Sequence, residues 1–111
     1  GGVHAAAIFN MEGEMLIIYE DIGRHNAVDK LIGWGLMNGI PLEDKLLLTT
    51  GRTSYEIILK SANVGLPIVS SISSPTSLAV ILSKECNCTL IGYLGANRMN
   101  VYTHPFRIKN L

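Results

Sequence analysis

The sequence predicts an α/β protein, a mixed β-sheet between helices in a three-layer α/β/α arrangement. Three observations carry this expectation. Short apolar runs of strand length recur at residues 3–9, 15–19, 45–50, 68–72 and 89–94. Stretches with apolar residues at helical spacing separate the later runs, and single helices between strands imply right-handed crossovers and parallel pairing. The first two runs flank a short Gly-containing turn, which makes an antiparallel hairpin. The predicted order is β-β-α-β-α-β-α-β in a single domain, residues 1–111.

Residues 3–9 are small and apolar, and Met11-Glu12-Gly13-Glu14 is the turn before the β-branched and aromatic run 15–19. Residues 24–38 carry Ala27, Val28, Leu31, Ile32, Gly35 and Leu36 at helical spacing, with Gly39 and Pro41 as the stop. After strand 45–50, Thr53 and Glu56 read as a capping box, each side chain satisfying a free backbone N–H at a helix start. That helix runs to about Asn63, with Ile57, Ile58, Ser61 and Ala62 inward, before Gly65 and Pro67. After strand 68–72, Ser74 reads as an N-cap and Pro75 as the first helical residue, where its missing N–H costs nothing. The helix continues to about Lys84 on Leu78, Ala79, Ile81 and Leu82. Strand 89–94, a loop at 95–98 and a short strand at 99–103 complete the chain, and His104-Pro105 ends regular structure.

Apolar residues make up 48% of the 111 residues and charged ones 16%, so the few polar residues stand out. No apolar run approaches the roughly 18 residues of a membrane helix, so a soluble domain without membrane contact is expected. Nine basic residues balance nine acidic ones, which argues against a polyanion-binding surface and a nucleic-acid partner. The two cysteines, Cys86 and Cys88, are one residue apart, too close for an ordinary disulfide and only half of a zinc site. They read as structural thiols in a reducing compartment. The chain begins Gly1-Gly2-Val3-His4 with no initiator Met and no basic leader, which suggests a piece of a longer protein.

The polar residues concentrate at strand-to-helix junctions. In residues 20–30, seven of eleven side chains ionise or hydrogen-bond: Glu20, Asp21, Arg24, His25, Asn26, Asp29 and Lys30. Ligands of open α/β sheets bind at the carboxyl ends of the strands, where loops lead into helix N-termini. The loops 20–26, 49–54 and 70–77, with 93–98, are expected to bring Arg24, His25, Arg52 and Arg98 to one rim with many hydroxyls. Free N–H groups and partial positive charge at helix starts favour anions, and arginine adds a two-pronged donor. A phosphate-bearing small molecule fits such a rim, although neither a Walker loop nor GxGxxG is present. Plainer readings stand beside this one. Glu20, Asp21 and Arg24 could form a surface ion pair and cap, and Arg52 and Thr53 could merely cap their helix. His4 reads as a core histidine, His104 as a turn residue, and Trp34 and Met37 as packing or a subunit contact. Ser73 and Ser74 have no base beside them in sequence, which disfavours a serine nucleophile.

Taken together the motifs resemble a known family. Gly-Gly-Val-His-Ala-Ala-Ala (1–7), Glu-Asp-Ile-Gly-Arg-His-Asn-Ala-Val-Asp-Lys (20–30) and Thr-Gly-Arg-Thr-Ser-Tyr-Glu (50–56) are similar to the FdhD/NarQ sulfurtransferases, accessory proteins of formate dehydrogenase. So are Ser-Ser-Pro-Thr-Ser-Leu-Ala-Val (73–80) and Asn-Arg-Met-Asn-Val-Tyr-Thr-His-Pro-Phe-Arg-Ile (97–108). The resemblance implies a cytidine-deaminase-like fold and a cytoplasmic homodimer. It also implies a sulfur carrier that takes persulfide sulfur from a cysteine desulfurase. The sulfur passes to the molybdenum (or tungsten) bis-guanine-dinucleotide cofactor of formate dehydrogenase. Guanine-nucleotide binding, with GDP as a mimic, would then fall on Tyr93, Leu94, Gly95, Ala96, Asn97 and Arg98. Arg24, His25, Arg52 and Ser74 are the further candidate contacts.

The family's sulfur carrier is a Cys-x-x-Cys motif upstream of the Gly-Gly-x-His segment, and this sequence contains none. A thiolate is needed to carry persulfide sulfur, so these residues are expected to supply the cofactor-binding part and no catalytic residue. Zinc deamination is disfavoured as well, because His4-Ala5-Ala6 lacks the glutamate of H-x-E and P-C-x-x-C is missing. The alternative is a non-catalytic module that docks the desulfurase or the dehydrogenase.

Overall fold

The computed structural model describes residues 3–108, and its sheet begins with the hairpin of β1 (His4–Phe9) and β2 (Met15–Asp21). Asn10 shapes the turn, its Oδ1 accepting the N–H groups of Glu12 and Glu14 at 3.0 and 2.9 Å. Gly13 takes a φ of 85°, which a residue with a Cβ disfavours. Helix α1 (Arg24–Met37) ends where Gly39 turns left-handed at φ 63° and the Ile40 N–H returns to the Gly35 carbonyl. Then come β3 (Leu46–Thr49), α2 (Tyr55–Asn63), β4 (Ile68–Ser71), α3 (Ser77–Glu85), β5 (Thr89–Gly95) and β6 (Arg98–Val101), and a 3-10 turn at Pro105–Arg107.

The strand order is β2-β1-β3-β4-β5-β6. β1 is antiparallel to both neighbours, β3 to β5 are parallel, and β6 is antiparallel to β5. β2 therefore points the same way as β3, β4 and β5, and the carboxyl ends of these four strands share one edge. The mixed sheet, the hairpin and the parallel later strands are as predicted.

Each crossover steps in the same direction across the sheet, so right-handed connections lay the helices along one face. The register shows that face directly. Ile17, Ile8, Leu47, Val69 and Leu90 form a row across five strands, and Ala27, Val28, Leu31, Ile57, Ile58 and Ala79 pack onto it as one core. The adjacent row, Ile18, Ala7, Leu48, Ser70 and Ile91, faces the other way. Ile18 and Ile72 are 49% and 52% exposed there, flanking an apolar trough of about 80 Å³ lined also by Ala5, Ala7 and Leu48. Helices α1 to α3 thus supply one outer layer of the α/β/α arrangement, and the second sheet face is apolar in its own right.

Two helix starts differ from the sequence expectation. Ser54, not Thr53, is the N-cap of α2, its Oγ accepting the Ile57 N–H at 3.4 Å. Thr53 is fully buried because its backbone pairs with the next loop: its N–H bonds to Ser74 O, and its carbonyl accepts the Thr76 N–H at 2.9 Å. The same pairing holds residues 74–75 extended, so Ser74 and Pro75 cannot begin α3. Thr76 is the N-cap instead, accepting the Ala79 N–H at 3.1 Å. The final strand starts one residue earlier than predicted and stops at Val101, and the Cys88 carbonyl accepts from the Thr103 hydroxyl beyond it.

Candidate anion-binding site

At the carboxyl edge of the sheet the chain turns from β2 into α1 through Ile22-Gly23. Asp21 fixes this turn. Its Oδ1 accepts the Gly23 N–H at 3.0 Å and the Asn26 amide at 3.4 Å, and its Oδ2 pairs with Lys30 at 2.8 Å. Lys30 first, then the Gly23 N–H, holds the carboxyl well below its usual range, at about 2. With Asp21 engaged outside the helix and Gly23 as N-cap, no side chain caps α1. The backbone N–H groups of Arg24, His25 and Asn26 have no hydrogen-bond partner among the described residues, which leaves the positive end of the helix open.

Arg24 leans from α1 over the end of β3. A Cβ placed on Gly51 would lie 3.0 Å from Arg24 Cδ and 3.1 Å from His4 Nδ1, so this glycine makes room for both side chains. Arg24 Nε is buried and unpartnered, an unusual condition for a charged donor. Gly51 is held in turn by its carbonyl, which accepts Ser71 Oγ at 2.6 Å and Thr49 Oγ1 at 3.2 Å. His25, next on α1, meets Ser54 with Nε2 and Oγ 3.1 Å apart. The Glu56 carboxyl is held below its usual value by its own backbone N–H first, then by the Ser54 hydroxyl and the positive charge of His25 and Arg24, against desolvation that raises it. No Ser54–Glu56 pair meets full hydrogen-bond geometry. Lys60 and Asp29, 2.8 Å apart, join α2 to α1 on the outer surface.

The remaining predicted residues sit farther along the same edge. Arg52 is exposed beside Gly51, and half-buried Ser74 lies in the extended segment paired with Thr53. Tyr93 follows through its N–H to Ser73 O at 3.0 Å, and its φ of 52° is a left-handed conformation inside a strand. Gly92 makes this contact possible, since a Cβ there would meet Tyr102, Pro75 and the Ser73 carbonyl at 2.9 to 3.2 Å. Leu94, Gly95, Ala96, Asn97 and Arg98 form the β5–β6 hairpin end, mostly exposed. Strands β3 and β5 are two spacings apart, about 10 Å, so the rim has two centres: Arg24, His25, His4 and Ser54 near β3, and residues 73–75 with 93–98 near β5. Thr53 joins them, and its buried Oγ1 is itself unpartnered.

Sequence reasoning missed Ser54 and His4 as members of the first centre. The doublet Thr53-Ser54 offered two N-caps one residue apart, and only the pairing of Thr53 with the next loop decides between them. His4 comes to the rim because β1 lies between β2 and β3, which the hairpin alone does not specify. The thiols are at the opposite edge, after α3 and at the start of β5, where burial pushes Cys88 up to about 12. Among the described residues no three His, Cys, Asp or Glu side chains gather as a metal site, and no helix is long and apolar enough to cross a membrane.

Fold and rim define an α/β domain whose carboxyl edge gathers an uncapped helix start, an arginine and a histidine. The FdhD/NarQ family profile matches residues 1–109, and the chain belongs to this family. Sulfur carrier protein FdhD of Sulfolobus acidocaldarius is 49% identical over 109 residues, 97% of this chain and 43% of the relative. The protein of the same description from Halalkalibacterium halodurans is 53% identical over 108 residues, covering 97% of this chain and 40% of the relative. A crystal structure from Desulfotalea psychrophila, assigned as a formate dehydrogenase accessory protein, superposes with a TM-score of 0.88 at 40% identity. It is matched over 96% of this chain and 47% of its own. The chain spans less than half the length of these relatives.

Proposed function

We propose that this chain is the cofactor-binding part of a sulfur carrier that serves formate dehydrogenase. The observation that carries the reading is Arg24, whose buried Nε is unpartnered beside the three open N–H groups of α1. That combination favours a phosphate oxygen. The ligand would be the guanine-nucleotide end of the molybdenum bis-guanine-dinucleotide cofactor, which is cargo here. Arg24 and His25 would face a phosphate group, Arg52 would add charge at the mouth, and Ser74 with Tyr93, Leu94, Gly95, Ala96, Asn97 and Arg98 would form the second contact. Family membership supports sulfur delivery, and the names of the relatives support the carrier role. On this reading the protein works in the cytoplasm as a homodimer, with a cysteine desulfurase as donor and formate dehydrogenase as recipient. The carrier thiols would belong to a Cys-x-x-Cys outside these residues, because the rim contains no thiol and Cys88 is held protonated.

Calorimetric titration with GDP tests the rim. Binding is expected, weakened at least tenfold by Arg24→Ala and measurably by Arg98→Ala. Absence of heat at millimolar GDP, with both variants indistinguishable from the parent, removes this reading. The open apolar sheet face at Ile18 and Ile72 favours a second reading, a docking module for the desulfurase or the dehydrogenase. That module would capture its partner without nucleotide and be indifferent to Arg24→Ala.

A further inference from the structure

Ser54 has two neighbours that share one hydroxyl. Its Oγ accepts the Ile57 N–H as the cap of α2, and it is also 3.1 Å from His25 Nε2. A hydroxyl has one proton and two lone pairs. The cap uses a lone pair, so the proton is free to be donated. Among the described residues His25 Nε2 is the acceptor within hydrogen-bond distance, since Glu56 makes no bond of normal geometry to Ser54. Ser54 is 6% exposed, which leaves little room for water to take the proton instead.

We propose that Ser54 is a positioning residue that fixes the tautomer of His25, so that Nδ1–H is the donor presented to an oxyanion ligand. The inference rests on the reading of the rim as a phosphate site. If Oγ–H donates to Nε2, a neutral imidazole must carry its proton on Nδ1. When the ring takes a second proton, Nε2–H donates back to Oγ and Nδ1 keeps its own. Nδ1 therefore donates in both charge states. It is also the ring nitrogen nearer the main chain, hence nearer the open N–H groups of the first turn of α1, and it has no other partner among the described residues. The charged groups that bear on this corner are Arg24 on α1 and Glu56 on α2, with His4 of β1 beside Arg24. A phosphate oxygen would thus meet Arg24, backbone N–H groups and the His25 Nδ1–H together.

Nitrogen-15 NMR of the imidazole distinguishes the two tautomers without any ligand. At pH 8 the 111-residue chain is expected to hold His25 as the Nδ1–H form, which free imidazole side chains disfavour in water. Ser54→Thr keeps this form. Ser54→Asp preserves helix capping but replaces the hydroxyl donor with an acceptor, so it inverts the ring to Nε2–H. Ser54→Ala lets it relax toward Nε2–H, and Glu56→Gln leaves it unchanged. GDP affinity should fall about tenfold in Ser54→Asp and Ser54→Ala and recover in Ser54→Thr. An Nε2–H ring in the parent chain overturns the proposal, as does an unchanged tautomer in Ser54→Asp. GDP binding in the parent that Ser54→Asp leaves intact also overturns it. Failure of the parent to bind GDP at all, with the tautomer as expected, strikes the phosphate reading and not the Ser54–His25 relationship.

Discussion

The Arg24 side chain fills the space that a Cβ on Gly51 would need. The approach is 3.0 Å to Cδ and 3.2 Å to Cβ of Arg24, with His4 Nδ1 at 3.1 Å, so the loop just beyond β3 needs a residue without a side chain for α1 to lay its arginine over it. The Gly51 carbonyl is clamped by Ser71 and Thr49, which stops the loop from retreating.

Gly51→Ala should therefore displace Arg24 rather than the backbone. GDP affinity is expected to drop about tenfold, equivalent to about 1.4 kcal/mol, while the melting temperature changes little because both displaced side chains can move toward solvent. Calorimetry and a thermal melt on the same sample check both parts. Parent-like affinity would mean that the position of Arg24 over β3 is irrelevant to the ligand.

Asp21 carries a pH signature. Its carboxyl is lowered from 3.8 to about 2, chiefly by Lys30 and then by the Gly23 N–H. A depressed carboxylate stabilises the fold above the unfolded value, and this contribution fades as pH falls from about 4 through about 2. Asp21→Asn should be less stable than the parent at pH 6, and the gap should narrow steadily as pH falls from about 4 to about 2. Urea midpoints for both proteins across that range measure it, and a gap independent of pH would show that the pair with Lys30 is inconsequential.

Most of the fold was legible because strand runs and helical stripes are local signals. The hairpin, α1 and α2 follow from Gly13, Gly39 and Gly65, whose left-handed φ values end their elements where the sequence places them. What stayed hidden was tertiary. The start of α3 depends on the pairing of Thr53 with residues 74–76, two segments some twenty residues apart, and no local rule favours Thr76 over Ser74. In the site, Arg24 and His25 stood out as members of the dense polar cluster at residues 20–30 in an otherwise apolar chain. Ser54 did not, because a serine before a helix is explained by capping alone, and its second role needs α1 and α2 side by side. Likewise a glycine such as Gly51 declares its purpose only when the side chain above it is known.

The two cysteines should differ sharply in reactivity. Burial first, and Cys86 next to it, pushes the Cys88 thiol up to about 12. Folding therefore favours the protonated thiol, and that contribution is lost as pH rises from about 9 toward 12. Iodoacetamide at pH 8 should leave Cys88 unmodified in the native chain and label it in denaturant, with Cys86 as the native site of any label. Both cysteines fall on the tryptic peptide 85–98, so its backbone fragmentation in tandem mass spectrometry assigns the label, and native labelling of Cys88 would contradict its burial.

Glycine positions give opposite signs within one chain. Gly92 sits in β5 where a Cβ would come 2.9 Å from Tyr102 Cε2, 3.0 Å from Pro75 Cδ and 3.2 Å from the Ser73 carbonyl. Two of these neighbours belong to a loop already tied to Thr53 and Tyr93, so it cannot yield cheaply. Gly92→Ala is expected to destabilise by about 1–3 kcal/mol through overpacking. Gly33 lies inside α1 with nothing within 4 Å of a built Cβ. There alanine only restricts the unfolded chain and raises helix propensity, so Gly33→Ala should stabilise by about 0.5–1 kcal/mol. Urea unfolding of the two variants beside the parent tests the pair. If Gly92→Ala proved neutral, the close seat of the Ser73–Pro75 loop on β5 would be dispensable, and the second centre of the rim would lose the contact that aligns it with the first.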